Sequence, residues 1–170
     1  MDAKELAAKV AHTMLAGEGT GPEWGIRIDE VRAGYARVSM RDRRAVRNHL
    51  HSIHAIALAN LAEVTSGLAM IVGLPDDSRS IVTGFAVEYL KKARGPLSAE
   101  CSTSSVDASV EREHAIESVV RDSAGDVVVK ATARWLVGPR EDFDAAADAK
   151  VAPRSEAASR SDSARRASGA

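Results

Sequence analysis

Residues 54–73 read HAIALANLAEVTSGLAMIVG, and this stretch decides the fold. Its length and its content of Ala, Leu and Met favour a helix, and apolar residues fall on nearly every side of that helix. A helix that is apolar all round is covered by protein on most of its sides. The rest of the chain must therefore wrap a helix over 54–73.

Strand-like patterns flank this helix on both sides. Before it, apolar and polar residues alternate over 25–41, which predicts two strands joined around Arg32-Ala33-Gly34. The order of elements lacks the alternation of strand and helix that a parallel sheet requires. We therefore predict an α+β fold in which a largely antiparallel sheet curls around one long helix. The four strand-like runs that follow the helix cover about 80–92, 97–107, 113–122 and 126–138.

A sheet of this kind leaves edge strands. An aliphatic edge strand pairs readily with a second copy of the same chain. The sequence therefore predicts a homodimer or a dimer of dimers.

The two ends of the chain differ in character from its centre. Residues 2–16 have the apolar stripe of a short amphipathic helix. The segment 141–170 is rich in Ala and Ser and has mixed charges, so it can bury little surface and is predicted to be a disordered tail. The expected organisation is one domain over 1–140 followed by that tail.

Composition excludes several classes of protein. Lys plus Arg number 23 and Asp plus Glu number 24, giving a net charge of -1, and only 4% of residues are aromatic. These values argue against a protein held to nucleic acid or to a membrane surface by bulk charge. The start of the chain lacks a secretory pattern, and Cys101 is the single cysteine. We therefore expect a cytoplasmic protein without a disulfide framework, in which Cys101 is a small buried residue.

Glu63 is the most informative polar residue, because it interrupts the apolar helix. Burial raises the pKa of a carboxyl group, which suits a base that works near neutral pH. Asn60 and Ser66 lie three residues to either side of Glu63 and share its face. Two structural alternatives to a functional role exist. Glu63 lies on the single solvent-exposed side of the helix, or it forms an ion pair with an arginine from 41–47.

The start of the helix offers a second kind of chemistry. Backbone N–H groups at a helix start are free and can hold an oxyanion. With Ser52 as a possible N-cap, those donors would belong to residues near His54, Ala55 and Ile56. Nine residues separate His54 from Glu63, or roughly 13 Å along the axis. One helix cannot bring both groups to one atom, so a catalytic Glu63 requires a site shared between two chains.

The sequence pattern at and before the helix resembles that of a known family. Asn48, His54 and Glu63, with Leu-Ala before the acid, are similar to the Asn…His-Gly-Gly…Leu-Ala-Asp pattern of hotdog-fold acyl-CoA thioesterases of the phenylacetate-degradation type. A branch of that superfamily with a domain of unknown function resembles the chain more closely, including the segment Tyr89–Gly95. Here the two glycines are Ala55 and Ile56, and the acid is Glu.

The resemblance implies a hotdog fold and a role for each matching residue. Glu63 would act as nucleophile or general base on a thioester, Asn48 would position substrate or water, and the amides of Ala55 and Ile56 would polarise the carbonyl. Coenzyme A would enter as part of the substrate, and no other cofactor is required. Supporting roles fall to His54, Asn60, Ser66 and Thr83, with Ser80 as a second candidate for the expected hydroxyl on the next strand.

Basic residues near the end of a strand suggest where the phosphates of coenzyme A would bind, because phosphates favour Lys and Arg. The first candidates are Lys91, Lys92 and Arg94. The structural alternative is that these side chains form a solvent-exposed basic end of the strand and bind no phosphate. The cluster at 41–47 offers further arginines. The remaining candidates are Arg41, Arg43, Arg44 and Arg47.

Two other functions remain open at this point. A non-catalytic protein that binds acyl-CoA or an acyl chain fits the more crowded Ala55-Ile56 pair. A metal-dependent hydrolase is suggested by His49, His51 and His54, although a strand-to-helix path would point the three imidazoles apart.

Overall fold

A computed structural model describes residues 25–141 of the chain, and all elements lie in one compact unit that ends at Pro139. The predicted helix over 2–16 and all but the first residue of the predicted tail lie outside the described residues. The elements are β1 (Ile26–Arg32), β2 (Tyr35–Met40), a 3-10 turn (Arg44–Val46), α1 (Ala55–Ile71), β3 (Ser78–Tyr89), β4 (Leu97–Ser102), β5 (Arg112–Asp122) and β6 (Val127–Pro139).

The six strands form one sheet in the order β1-β2-β4-β5-β6-β3, and every neighbouring pair is antiparallel. This confirms the predicted α+β fold with a sheet around one helix. Two predicted strands were too long. β3 ends at Tyr89 because Leu90 and Lys91 both donate their N–H groups to Val128 O, and β4 ends at Ser102.

The helix α1 lies against the inner face of the sheet. Leu61, Val64 and Leu68 are at most 1% exposed, and full burial of such side chains contributes about 2 kcal/mol each. Two buried hydroxyl groups join the helix to the sheet: Ser118 on β5 donates to the backbone oxygen of Ala62, and Ser66 on the helix accepts from Trp135 Nε1. Within residues 25–141, no helix is long and apolar enough to cross a membrane.

The two edge strands of the sheet differ. β1 has seven residues, carries four charged side chains and contains a bulge between Ile28 and Glu30. β3 has 12 residues, exposes Ile81 and, among the described strands, pairs with β6 alone. A long edge strand with few charges is suited to pairing with another chain.

Candidate functional site

The loop before α1 is organised by the side chain of Asn48. Its Oδ1 accepts from Leu50 N at 2.9 Å, Ser52 N at 3.2 Å and Ser52 Oγ at 3.1 Å. Three donors fix the oxygen end of the carboxamide, so its Nδ2 is the end left for a ligand. Asn48 therefore presents a donor group whose orientation is set by its own loop.

The helix begins at a different cap from the one predicted. His54 is the N-cap, and its Nδ1 accepts from Ile56 N at 3.1 Å. Ser52 was predicted as a possible cap, but its hydroxyl donates to Asn48 instead. The reason is tertiary: Ile53 N donates to Ala93 O and His54 N donates to Val46 O, which keeps the chain extended up to His54.

This cap changes which backbone amides are free. The amide of Ile56 donates to the His54 ring and is engaged. Among the described residues, no acceptor is found for the amides of Ala55 and Ala57. Ala57 is 0% exposed, whereas Ala55 lies in the wall of a cavity. Of the two predicted carbonyl-polarising amides, the structure therefore leaves Ala55 available and occupies Ile56.

A cavity of about 350 Å³ lies in front of this helix start. Its walls are mostly apolar, and its polar residues include Asn48, Tyr89 and Lys92. Such a mixture of apolar walls and a few directed polar groups is typical of small-molecule sites. The lining residues are Asn48, Leu50, Ser52, Ile53, Ala55, Leu58, Tyr89, Leu90, Lys91, Lys92 and Ala93.

Glu63 lies two and a half turns further along α1 and does not line this cavity. It is half-buried, and burial raises the pKa of its carboxyl group. Within residues 25–141 its carboxylate has no ion-pair partner, so the predicted alternative of neutralisation by an arginine from 41–47 finds no support there. In that cluster, Arg47 Nε instead contacts Asp42 Oδ1 at 2.6 Å.

The predicted supporting residues have separate positions. Ser66 is fully buried and donates to Glu63 O while it accepts from Trp135, so its hydroxyl has a structural role. Thr83 is exposed and donates to Glu113 and to Arg134 O, away from the helix. Asn60 is half-buried beside Glu63, and its Nδ2 has no hydrogen-bond partner among the described residues.

The basic residues near the cavity divide into two groups. Lys91 Nζ lies 2.7 Å from Asp122 Oδ2 and 2.6 Å from Asp126 Oδ2, which raises the pKa of Lys91 and holds it in the β5–β6 turn. The Lys91 ammonium group is thus paired within the described chain, and its part in phosphate binding stays a prediction. Lys92 and Arg94 are exposed, and the described chain offers neither of them an ion-pair partner.

The residues of the histidine alternative do not form a cluster. In the described part of the chain, no three His, Cys, Asp or Glu side chains lie close enough together to hold a metal ion. His49, His51 and His54 are each exposed, and His54 uses Nδ1 for the cap. The metal-dependent hypothesis therefore has no geometric support within residues 25–141.

Cys101 is buried, as predicted, and burial raises the pKa of its thiol to about 11. A thiol with that pKa is a poor nucleophile at neutral pH. Its place among the core residues of β4 is that of a small apolar side chain.

Sequence reasoning missed the role of the Tyr89 hydroxyl, which donates to Ala55 O at 3.1 Å. The only available signal was a tyrosine at the end of a strand-like run, a residue type with an apolar ring and a polar tip. Its contact with the helix start joins residues 34 positions apart and could not be predicted from local patterns.

Comparisons with known proteins agree with this architecture. A family model described as a domain of unknown function (DUF4442) matches residues 23–137. Curated proteins gave no significant match.

Solved structures match over most of their length. One from a genomics project is 29% identical, with a TM-score of 0.66 over 81% of this chain and 90% of that one. A Pseudomonas aeruginosa protein described as a probable thioesterase is 23% identical, with a TM-score of 0.66 over 79% and 94% of the two chains. The PaaI protein from the phenylacetic acid degradation operon of Escherichia coli is 17% identical, with a TM-score of 0.64 over 79% and 95%.

Proposed function

We propose that this chain, which belongs to the DUF4442 family and has the predicted hotdog fold, is a hydrolase that cleaves the thioester bond of an acyl-CoA. The fold is the one found in the probable thioesterase from Pseudomonas aeruginosa. The substrate and the residues assigned below are our proposal.

One observation carries this proposal: the carboxyl group of Glu63 is half-buried in an apolar helix without a partner in the described chain. An unpaired buried carboxylate costs stability, and such groups concentrate at functional sites. The raised pKa of Glu63 also gives it the basicity that proton abstraction near neutral pH requires.

The separation between Glu63 and the cavity supports a site built by two chains. The helix rise puts the carboxylate roughly 13 Å from the N-cap of its own helix. Two copies with their α1 helices side by side and antiparallel would bring Glu63 of one chain to the helix start of the other. Pairing along the exposed edge of β3 gives such a homodimer, which can assemble further into a dimer of dimers.

The chemistry assigns a task to each group. The thioester carbonyl accepts hydrogen bonds from Ala55 N–H and Asn48 Nδ2, which stabilise negative charge on its oxygen. Glu63 takes a proton from a water molecule that attacks the carbonyl carbon, or attacks that carbon itself and is released by water. The C–S bond breaks, the electron pair goes to sulfur, the acyl group leaves as the carboxylic acid, and the proton taken from water completes the thiol of coenzyme A.

The surroundings of the cavity fit the rest of this substrate. Leu50, Ile53 and Leu58 provide apolar walls, and Lys92 at the cavity and Arg94 nearby carry positive charge for the phosphates of coenzyme A. Coenzyme A is thus part of the substrate, and the proposed reaction needs no additional cofactor.

A second candidate function is non-catalytic binding of acyl-CoA. It is favoured by the engaged amide of Ile56 and by side chains where the resembled pattern has two glycines. Saturable binding of CoA esters without turnover over hours would support it.

The test measures hydrolysis of a panel of acyl-CoAs by the whole chain and by Glu63→Gln. A lost general base lowers kcat by about 10²–10⁴-fold. Glu117→Gln is the matched control, because Glu117 is exposed on β5 and absent from the lining of the cavity described above. Full turnover in Glu63→Gln would refute the assignment of Glu63.

A further inference from the structure

The cavity at the start of α1 contains a hydroxyl group that the reaction described above does not use. Tyr89 is the last residue of β3, lines the cavity and is 48% exposed. Its hydroxyl donates to Ala55 O at 3.1 Å. This hydroxyl and the free amide of the helix start therefore lie at the two ends of one residue, Ala55.

The helix start itself is short of donors. Ile56 N–H is engaged by the His54 ring, and Ala57 is fully buried, so within residues 25–141 Ala55 is the one residue at the helix start that both lines the cavity and has an N–H group without an acceptor. Sites that stabilise an oxyanion usually direct more than one donor at it. Asn48 Nδ2 is one side-chain donor assigned to this task above, and Tyr89 is a second residue of the cavity lining whose side chain carries a donor.

We infer that Tyr89 supplies this donor, and that its hydroxyl binds the carbonyl oxygen of the thioester together with Ala55 N–H and Asn48 Nδ2. The inference rests on the proposed function. Tyr89 would take the place of the Ile56 amide that the resemblance assigned to this task. The proton stays on Tyr89 throughout, because the group acts as a hydrogen-bond donor and transfers nothing.

The present bond of Tyr89 can be exchanged at little cost. Ala55 O belongs to the first turn of a regular helix, where carbonyl groups accept from the amide four residues later. Loss of the Tyr89 bond therefore leaves no buried acceptor unpaired. The backbone after Tyr89 is held by two N–H groups that donate to Val128 O, so the ring has a fixed base from which its hydroxyl can turn.

The experiment uses Tyr89→Phe, which removes only the hydroxyl. Acyl-CoA labelled with carbon-13 at its carbonyl is bound to Glu63→Gln chains, and the carbonyl stretching frequency is recorded by infrared difference spectroscopy. We expect a downshifted frequency that moves back toward its value in water when Tyr89→Phe is added. In otherwise unaltered chains, Tyr89→Phe should lower kcat by about 10–100-fold with little change in KM.

Tyr35→Phe is the matched control, because Tyr35 lies on β2 and donates to Glu100 at 3.4 Å, away from the cavity. It should leave the frequency and kcat unchanged. An unchanged frequency in Tyr89→Phe, or an equal effect of Tyr35→Phe, would overturn the inference.

The spectrum separates this inference from the proposed function. If wild-type chains bind the ester without turnover and the carbonyl shift depends on Tyr89, the hydrolase proposal fails and the donor role stands. If turnover depends on Glu63 but the frequency is insensitive to Tyr89, the donor role fails and the hydrolase proposal stands.

Discussion

Two inactive variants are expected to restore activity when they share one dimer. Glu63→Gln removes the proposed base, whereas Asn48→Asp removes the Nδ2 donor at the other end of the helix. Asp keeps an oxygen where Leu50 N and Ser52 donate, so the loop fold is preserved. If each site combines Glu63 of one chain with Asn48 of the other, a mixed dimer contains one intact site and one doubly altered site.

The expected recovery follows from counting sites. Equal amounts of the two variants, unfolded together and refolded, form mixed dimers in half of all cases, and each mixed dimer has one intact site of two. Turnover of acyl-CoA should therefore reach about one quarter of the wild-type value per chain, whereas each variant refolded alone stays near the background.

An inactive mixture of the two variants would refute the site shared between chains. If Glu63 and Asn48 acted within one chain, every site would carry one of the two substitutions, and the mixture would be as inactive as its parts. We expect the mixture to be active, because roughly 13 Å of helix separate Glu63 from the N-cap beside this donor. Size-exclusion chromatography of the refolded mixture verifies that dimers have formed.

Four further predictions use other parts of the structure. Burial raises the pKa of Glu63, so the folded chain binds this proton more tightly than the unfolded chain, and stability falls as pH rises through the folded pKa. Glu63→Gln, which cannot ionise, should unfold at higher temperature than wild type at neutral pH but not in acid, and each unit of raised pKa corresponds to about 1.4 kcal/mol. Lys92→Ala should raise KM for acyl-CoA about fivefold, less at high salt, whereas Lys91→Ala should leave KM unchanged because Lys91 is paired with Asp122. His51 has a φ of 53°, so His51→Gly should stabilise the chain by about 1 kcal/mol in urea unfolding. Cys101 should resist alkylation at pH 8 until the chain unfolds, because its pKa is about 11.

At the start of α1, the local sequence pattern and the tertiary structure give different helix caps. The sequence predicted the helix within two residues at its end and one at its start, but it predicted the wrong cap. Ser52 is a good capping residue by type, yet backbone bonds to Val46 and Ala93 keep the chain extended through His54. Capping propensity is local, whereas the bond from Ile53 N to Ala93 O joins segments 40 residues apart.

The candidate site also contains residues that the sequence identifies and residues that only the structure places. Glu63 could be identified from the sequence because a single carboxylate in an apolar helix is conspicuous without any structure. Thr83 and Lys91 could not be placed in the same way. A bulge between Val82 and Gly84 shifts the register of β3, and Thr83 bonds to Glu113 outside the helix-facing side. Lys91 is paired by the turn at 122–126, about 30 residues away.

The sequence by itself determined the wrapped helix, the antiparallel sheet, the buried cysteine and the isolated carboxylate, because these follow from the periodicity and polarity of neighbouring residues. It also predicted, from helix length alone, that one chain is too short to complete the site. Only the tertiary structure decided which donors at the helix start are free, which lysine is already paired and that Tyr89 reaches Ala55. The Lys91 pairing and the Tyr89 bond join residues more than 30 positions apart, and the free donors depend on a helix cap that the bond from Ile53 N to Ala93 O helps to place at His54. None of these outcomes follows from a local pattern.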